Sequence, residues 1–389
     1  MRRFTGTIPE DLIRDILLRL PSETVVELKL VCKSWLALIS SPNFAKAHLA
    51  ITAAEEKDVL HIVRTYVNGN KSISLINLGT QQLVSTPHFP SIFRDKLVGC
   101  ACGIVCLRST NGTNMYLWNP ATNLSKRIPS PSFRCDDDDA LGFGFDEIDN
   151  DFKILRVAWK LKPKFSHRKY YARDCEEIYV EVYSSNTNAW QKLGDNKPTD
   201  LPYKFGEFHV TVNTGLLCWA GCYGIITFDL HTEVLTCDGI NYPVPTFDGN
   251  MSNINNYNDM DSHALVTNFK DSIAVIIYKR SNYQRIYKLN LWALDNVECL
   301  RGGGIDASWT LIFNIDVNLP IDFVQGYLNS GDLLLDLYQN SWYLYNPDNK
   351  EAKYFTQSFY LGQIYKYCKS LFTIPGFKQV NWNAPPEAS

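Results

Sequence analysis

Apolar positions along the chain fall into two regimes, and the change between them lies near residue 58. Before it they recur at helical spacing. Ile8, Leu12, Ile13, Ile16, Leu17 and Leu20 form one stripe, stopped by Pro21. Val25, Val26 and Leu28 make a second short segment. Leu28, Val31, Trp35, Leu38 and Ile39 make a third, ending at Ser40-Ser41-Pro42. Thr7 and Glu10 have the spacing of a capping box, with Pro9 in the first turn, where its missing N–H costs nothing. The pattern predicts three short helices. So small a module buries little surface, and it holds more apolar positions than its own core can hide. The surplus either packs on the rest of the chain or forms a surface for a partner helix.

Beyond residue 58 the period becomes two. Short aromatic-rich strands end in polar turns, as in Leu75-Ile76-Asn77-Leu78-Gly79, Leu117-Trp118-Asn119-Pro120-Ala121-Thr122, Val182-Tyr183-Ser184-Ser185-Asn186-Thr187, Phe228-Asp229-Leu230-His231-Thr232 and Leu344-Tyr345-Asn346-Pro347-Asp348. The repeats lie about 40 to 65 residues apart, the range of propeller blades. Four strands can be written for each of blades two to six: 97–101, 104–108, 115–119 and 125–128; 141–145, 152–159, 178–184 and 190–193; 208–212, 216–219, 225–230 and 234–237; 264–269, 273–278, 286–293 and 309–315; 324–328, 333–338, 342–345 and 352–355. Blade one has only 59–66, 72–78 and 83–86, and a strand at 365–373 is left over. Letting that last strand complete the first blade covers an exposed edge and closes the count at six. A large β-sandwich, or five or seven blades, are the alternatives. The fold class expected is α+β multidomain: a three-helix module over 1–50, an all-β propeller over 51–375, and a flexible tail over 376–389.

Composition narrows the setting. The 13% aromatic content of the 389 residues favours β-structure. A net charge of −3 gives no global case for nucleic acid or an anionic membrane. No apolar run reaches the roughly eighteen residues of a membrane span, and no apolar h-region follows Arg2 and Arg3. The 11 cysteines then read as reduced core thiols in cytosol or nucleus, where sequons such as those at Asn111, Asn123 and Asn250 would go unused.

Catalytic and metal chemistry finds little support. Cys100, Cys102 and Cys106 have no second Cys/His pair nearby. Asp136–Asp139 lack the Gly and distal Glu of a calcium loop. Gly302-Gly303-Gly304 lacks the Lys-Ser/Thr of a phosphate loop. His48, His61, His88, His167, His209, His231 and His263 are scattered singly. A sugar-binding or enzymatic propeller would need acidic and aromatic residues converging on a central channel, and the innermost strands offer only Asp146, Glu147, His209 and His263. No metal and no cofactor is expected.

Two stretches resemble a known family. Ile8-Pro9-Glu10-Asp11-Leu12, Ile16-Leu17, Leu20-Pro21, Leu30-Val31-Cys32-Lys33-Ser34-Trp35, Leu38-Ile39 and Ser41-Pro42-Asn43-Phe44 resemble the F-box in order and spacing. Gly99-Cys100-Ala101-Cys102-Gly103-Ile104-Val105-Cys106-Leu107, Leu117 to Thr122, Gly142-Phe143-Gly144-Phe145-Asp146 with Asp151-Phe152-Lys153, Val182-Tyr183 with Trp190, and Phe228-Asp229 resemble the F-box-associated domain of plant F-box proteins, including the S-locus group. The resemblance implies a non-catalytic substrate receptor of a Skp–cullin–F-box ubiquitin ligase, directing ubiquitination and degradation. Its partners would be a Skp-type adaptor, cullin and RING subunits through it, and a protein substrate, which in the S-locus case would be a secreted ribonuclease. Ile8, Pro9, Leu12, Ile16, Leu20, Pro21, Val31, Cys32, Lys33 and Trp35 stand at adaptor-facing positions. Glu23 and Glu27 depart from the Lys and Arg that relatives often carry there, and Cys102 stands where relatives often carry Asn. A scaffold that binds the adaptor without presenting a substrate is a further alternative.

In a four-stranded blade, the loops after strands two and four share one face. Here these are 129–140, 161–175, 195–206, 240–262, 279–285 and 317–322, mostly long or charged, whereas the other face has tight turns except at 295–308. The helical module enters on the tight-turn side, so the long loops are expected to point away from it and to carry recognition. Their charges alternate in sign and sum to zero, which suits a particular folded partner. The expected substrate-binding residues are Arg134, Asp136, Asp137, Lys162, Lys164, Arg168, Lys169, Tyr170, Tyr171, Asp248, Tyr257, Arg280 and Arg285.

Overall fold

The computed structural model describes residues 8–55, 60–67, 70–85, 96–109, 114–133, 139–161, 175–194, 201, 209–212, 215–221, 224–237, 240–243, 246–247, 250–251, 262–280, 286–301, 306–328, 330–337, 341–355 and 359–379. Four helices come first: α1 (Glu10–Leu18), α2 (Ser22–Leu28), α3 (Lys33–Ile39) and α4 (Pro42–Glu55). The expected set of three lacked α4. Ser41-Pro42 reads as a stop but works as a start: the Ser41 hydroxyl accepts the Phe44 N–H at 3.2 Å and Pro42 occupies the first helical position. Pro9 stands just before α1 with extended backbone (ψ 142°) and not in its first turn, and no side chain caps that end. Thr7 lies outside the described residues.

Among the described residues, all longer regular structure after α4 is strand, in sheets that follow the chain order of a six-bladed propeller. The chain divides into two compact units, one of Met1–Val63, Ser72–Ile128 and Tyr365–Ser389, the other of Arg64–Lys71 and Pro129–Ile364.

The first unit holds blade two and part of blade one, in which the C-terminal strand Phe359–Tyr367 lies beside Leu60–Val67, followed by Asn70–Asn77 and Gln82–Ser85. The leftover strand thus completes the first blade, but it starts earlier than the expected 365–373. Residues 368–374 are not strand, yet they bury Ser370, Leu371, Phe372 and Ile374. Blade two comprises Lys96–Ala101, Ile104–Arg108, Met115–Asn119 and Leu124–Arg127, and Lys378–Gln379 pairs with Ser125 and Leu124 as a fifth strand. Residues 376–379, placed in a flexible tail by the sequence reading, are therefore held. Ile62, Leu75, Val105, Trp118 and Tyr367 form the apolar core of this unit's sheets.

In the second unit, blade three comprises Ala140–Asp146, Asp151–Leu161, Cys175–Ser184 and Ala189–Lys192, and blade four His209–Val212, Leu216–Ala220, Ile225–Asp229 and Leu235–Thr236. Blades five and six share one strand. Trp309–Tyr327 pairs at its start with Ile286–Leu294 and at its end with Leu333–Leu337. Residues 317–322, expected as a loop, are absorbed into that strand. The long connection 295–308 carries the 3-10 turn Val297–Arg301, whose Cys299 and Leu300 are buried and whose Leu300 carbonyl accepts the Thr227 hydroxyl at 2.9 Å.

The polar turns that repeat in the sequence share one construction. The Asn77 side-chain oxygen accepts the Thr80 N–H at 3.0 Å. Asn119 accepts those of Ala121 and Thr122, Asp229 those of His231 and Thr232, and Asn346 those of Asp348 and Asn349, all at 2.9 to 3.3 Å. Ser184 takes this place in blade three, accepting from Thr187. Four residues on, Gln81, Asn123, Asn188, Glu233 and Lys350 adopt φ between 54° and 60°. A short polar side chain stabilises the turn, and one left-handed residue reverses the chain.

Candidate functional site

The helical module has a closed core and an open apolar face. Leu17, Leu18, Val25, Ile39, Phe44 and Ala45 are buried together with His48. His48 Nε2 lies 2.9 Å from the Leu20 carbonyl. A carbonyl only accepts, so Nε2 carries the proton, and the ring ties the end of α1 to α4. The Thr52 hydroxyl donates to the His48 carbonyl at 2.9 Å.

With this core satisfied, six large apolar side chains still face solvent: Ile8, Leu12, Ile16, Leu30, Val31 and Leu36, with Leu30 89% exposed. Leu12 and Ile16 are one helical turn apart on α1, opposite the side that buries Leu17. Of the residues expected to face the adaptor, Ile8, Pro9, Leu12, Ile16, Pro21, Val31, Cys32 and Lys33 are exposed, while Leu20 and Trp35 are half-buried. Leu30 and Leu36 were missed as candidates. Leu30 could have been found from its place beside the candidate Val31, in the short link between α2 and α3.

Cys32 immediately precedes α3 and is fully exposed. The Ser34 hydroxyl, 3.1 Å from its sulfur, and then the Trp35 backbone N–H favour the thiolate and hold the Cys32 thiol below its usual value. Glu23, in the first turn of α2, receives a hydrogen bond from Lys369 Nζ at 2.5 Å.

On the propeller, Arg134, Asp136, Asp137, Lys162, Lys164, Arg168, Lys169, Tyr170, Tyr171, Asp248, Tyr257 and Arg285 lie outside the described residues. Arg280 ends the strand Ser272–Arg280, opposite Ile286. Next to the first acidic loop the structure corrects one assignment. Asp139, counted as part of a solvent-facing acidic run, is buried, 2.6 Å from Arg156 Nε. Arg156 Nη1 also donates to the Phe133 carbonyl at 2.7 Å and to Glu181 at 3.2 Å, and Glu181 accepts the Ser132 hydroxyl. Arg156 and Glu181 are direct cross-strand partners. One guanidinium thus binds two buried carboxylates and a carbonyl, which ties Phe133 and Asp139 to blade three.

A second charged cluster lies at the blade-three hairpin. Asp146 accepts the N–H groups of Ile148 and Asp149 and faces Lys153 Nζ at 3.2 Å. Lys153 also meets Glu233 at 2.9 Å and donates to the Leu230 carbonyl at 2.7 Å. Burial would raise the Asp146 carboxyl, but the two backbone donors and Lys153 outweigh it and hold the group below its ordinary value. Among the described residues, Asp146, Asp149 and His231 alone could offer three donors to one cation, within 4.8 Å of one another. The Lys153 ammonium already occupies the Asp146 charge. The residues weighed for a catalytic channel have structural contacts instead: His209 accepts the Phe143 N–H at 3.2 Å, and His263 stacks on Tyr278. No helix among the described residues is long and apolar enough to cross a membrane.

Comparison with known proteins agrees with this organisation. The F-box domain family matches residues 7–46, and the F-box associated beta propeller domain family matches residues 55–376. An F-box/kelch-repeat protein of Arabidopsis thaliana is 29% identical over 197 residues, covering 47% of this chain and 50% of that protein. The F-box/WD-40 repeat-containing protein 1 of the same plant is 25% identical over 325 residues, covering 81% and 70%. The chain thus spans half the length of the first relative and more of the second. Among solved structures, oligogalacturonate lyase in complex with manganese overlaps with a TM-score of 0.41 at 8% identity, covering 74% of this chain and 70% of that one, too slight a likeness to bear on chemistry. The propeller match extends over well more than half of the sequence, and the helical match precedes it in order: this chain belongs to the F-box-associated β-propeller family and carries an N-terminal F-box domain.

Proposed function

We propose that this protein is the substrate receptor of a Skp–cullin–F-box ubiquitin ligase. The helical module, residues 1–50, docks on a Skp-type adaptor and through it on cullin and RING subunits. The propeller, residues 51–375 extended by the held strand at 378–379, captures a protein substrate. The carrying observation is the open face of the module: Ile8, Leu12, Ile16, Leu30, Val31 and Leu36 are exposed although the four helices already have a closed core. An exposed apolar stripe on a helix suits a partner's groove or helix. Bond-making in the assembly falls to the partner subunits, and this chain contributes position. The substrate is read by charged loops of alternating sign around a rigid scaffold, with Arg134, Lys164, Arg168 and Lys169 among the contacts. A secreted ribonuclease, as in the S-locus group, is one such substrate class. The described cysteines are free thiols, which suits the cytosol or nucleus.

Cys32 gives a direct test, because its reactive thiol lies on the proposed docking face. A purified Skp-type adaptor should slow iodoacetamide alkylation of Cys32 several-fold in the full chain. Alkylation of Cys237, on blade four, should keep its rate. Equal Cys32 rates with and without saturating adaptor contradict the proposal.

A further inference from the structure

The covalent link between the helical module and the propeller runs from α4 into the strand that starts at Leu60. One link fixes a point but not an orientation. A second contact comes from the far end of the sequence, where Lys369 Nζ meets Glu23 at 2.5 Å. An exposed ion pair between two free side chains is worth little, because both must be ordered. Lys369, however, is presented from a backbone held on both sides. The Tyr365 hydroxyl donates to the Val98 carbonyl at 2.7 Å. The Asn119 amide donates to the Ser370 and Phe372 carbonyls at 2.9 and 3.0 Å. The Cys368 carbonyl and Ser370 sit so close to Gly103 that a Cβ there would lie 2.5 Å and 2.3 Å from them. Lys126 Nζ donates to the Pro375 carbonyl at 2.7 Å, and Lys378–Gln379 is a strand of blade two.

We propose that residues 365–379 are a brace that sets the orientation of the F-box on the first two blades, with Lys369 and Glu23 as its positioning contact. The inference rests on the docking role given above, since orientation matters to a receptor that must hold its substrate at a fixed place relative to the ligase. Gly103 and Asn119 are then required for the brace as well as for their own turns.

The test uses charge reversal in the full chain without adaptor. Nitroxides are placed at Asp11 on α1 and Ser85 on blade one through non-cysteine chemistry. Glu23→Lys and Lys369→Glu should each broaden the distance distribution and raise amide exchange at residues 23–28 and 368–372 by about threefold. The double reversal should restore both. Lys369→Met serves as the single change if a reversal impairs folding. Unchanged distances and exchange in the single variants, or a double variant as loose as either single one, overturn the brace. Adaptor binding is measured separately. A responsive brace in a chain that binds no adaptor contradicts the ligase reading alone, while adaptor binding with no response overturns the brace alone.

Discussion

Asn119 and Ser370 lie 251 positions apart in sequence, yet the Asn119 amide donates to the Ser370 carbonyl at 2.9 Å from a fully buried position. The same side chain donates to the Phe372 carbonyl, while its oxygen accepts the turn N–H groups of Ala121 and Thr122. One residue thus builds a blade-two turn and anchors the C-terminal segment.

Asn119→Asp separates the two roles. The carboxylate still accepts from the turn but cannot donate, so it faces two carbonyl oxygens. Stability in denaturant titration should fall by about 1–3 kcal/mol, with amide exchange rising at residues 368–379 and not at 121–123. A variant as stable as the parent would show that the segment needs no such anchor.

Local patterns made much of this architecture legible. Strands such as Met115–Asn119 are short, apolar and aromatic, and their turns use Asn, Asp or Ser at one position and a left-handed residue four later. Long-range contacts leave no such mark. Leu371, Phe372 and Ile374 are as apolar as a strand, so the expected strand slid toward them. Ser41-Pro42 suits both a helix end and a helix start, and only the packing of Phe44 and His48 decides it. The exposed stripe of α1 was legible from spacing. The pairing of Arg156 with Glu181 was not, although each charge interrupts an apolar strand. Cys102 was flagged as a departure, and its turn with Gly103 has φ of 47° and 74°, the two-residue hairpin form that Asn-Gly favours.

Arg156 should be among the most sensitive positions of the second unit. Arg156→Met leaves Asp139 and Glu181 buried without their cation, and the expected cost is about 3–5 kcal/mol in urea titration. Adding Glu181→Leu should recover part of that loss. A cost under about 1 kcal/mol for Arg156→Met would mean that water or rearrangement compensates the carboxylates.

Asp146 predicts an acid limb. Its folded-state carboxyl is held below the ordinary aspartate value of 3.8. Its contribution is therefore present above that value and is lost as pH falls through the lower folded value. Asp146→Asn keeps the turn acceptor and removes the charge facing Lys153. The variant should be less stable by about 1–3 kcal/mol at pH 7, and its gap from the parent should narrow below about pH 4. Lys153, raised above 10.5 by its carboxylate partners against the opposing effect of burial, predicts a second loss in alkali as pH rises through that higher value. A gap independent of pH between 2 and 7 would contradict the assignment of this charge.

The central claim is that the exposed apolar face of the helical module docks the chain on a Skp-type adaptor, and one binding titration tests it. Leu12 and Ile16 are 54% and 55% exposed, so Leu12→Asp with Ile16→Asp should leave the core of Leu17, Val25, Ile39 and Phe44 intact, as circular dichroism and melting can verify. The unaltered chain should bind purified adaptor, and the double variant should lose at least about a hundredfold in affinity while remaining folded. Equal binding by a folded double variant, or no binding by the unaltered chain, would contradict the account.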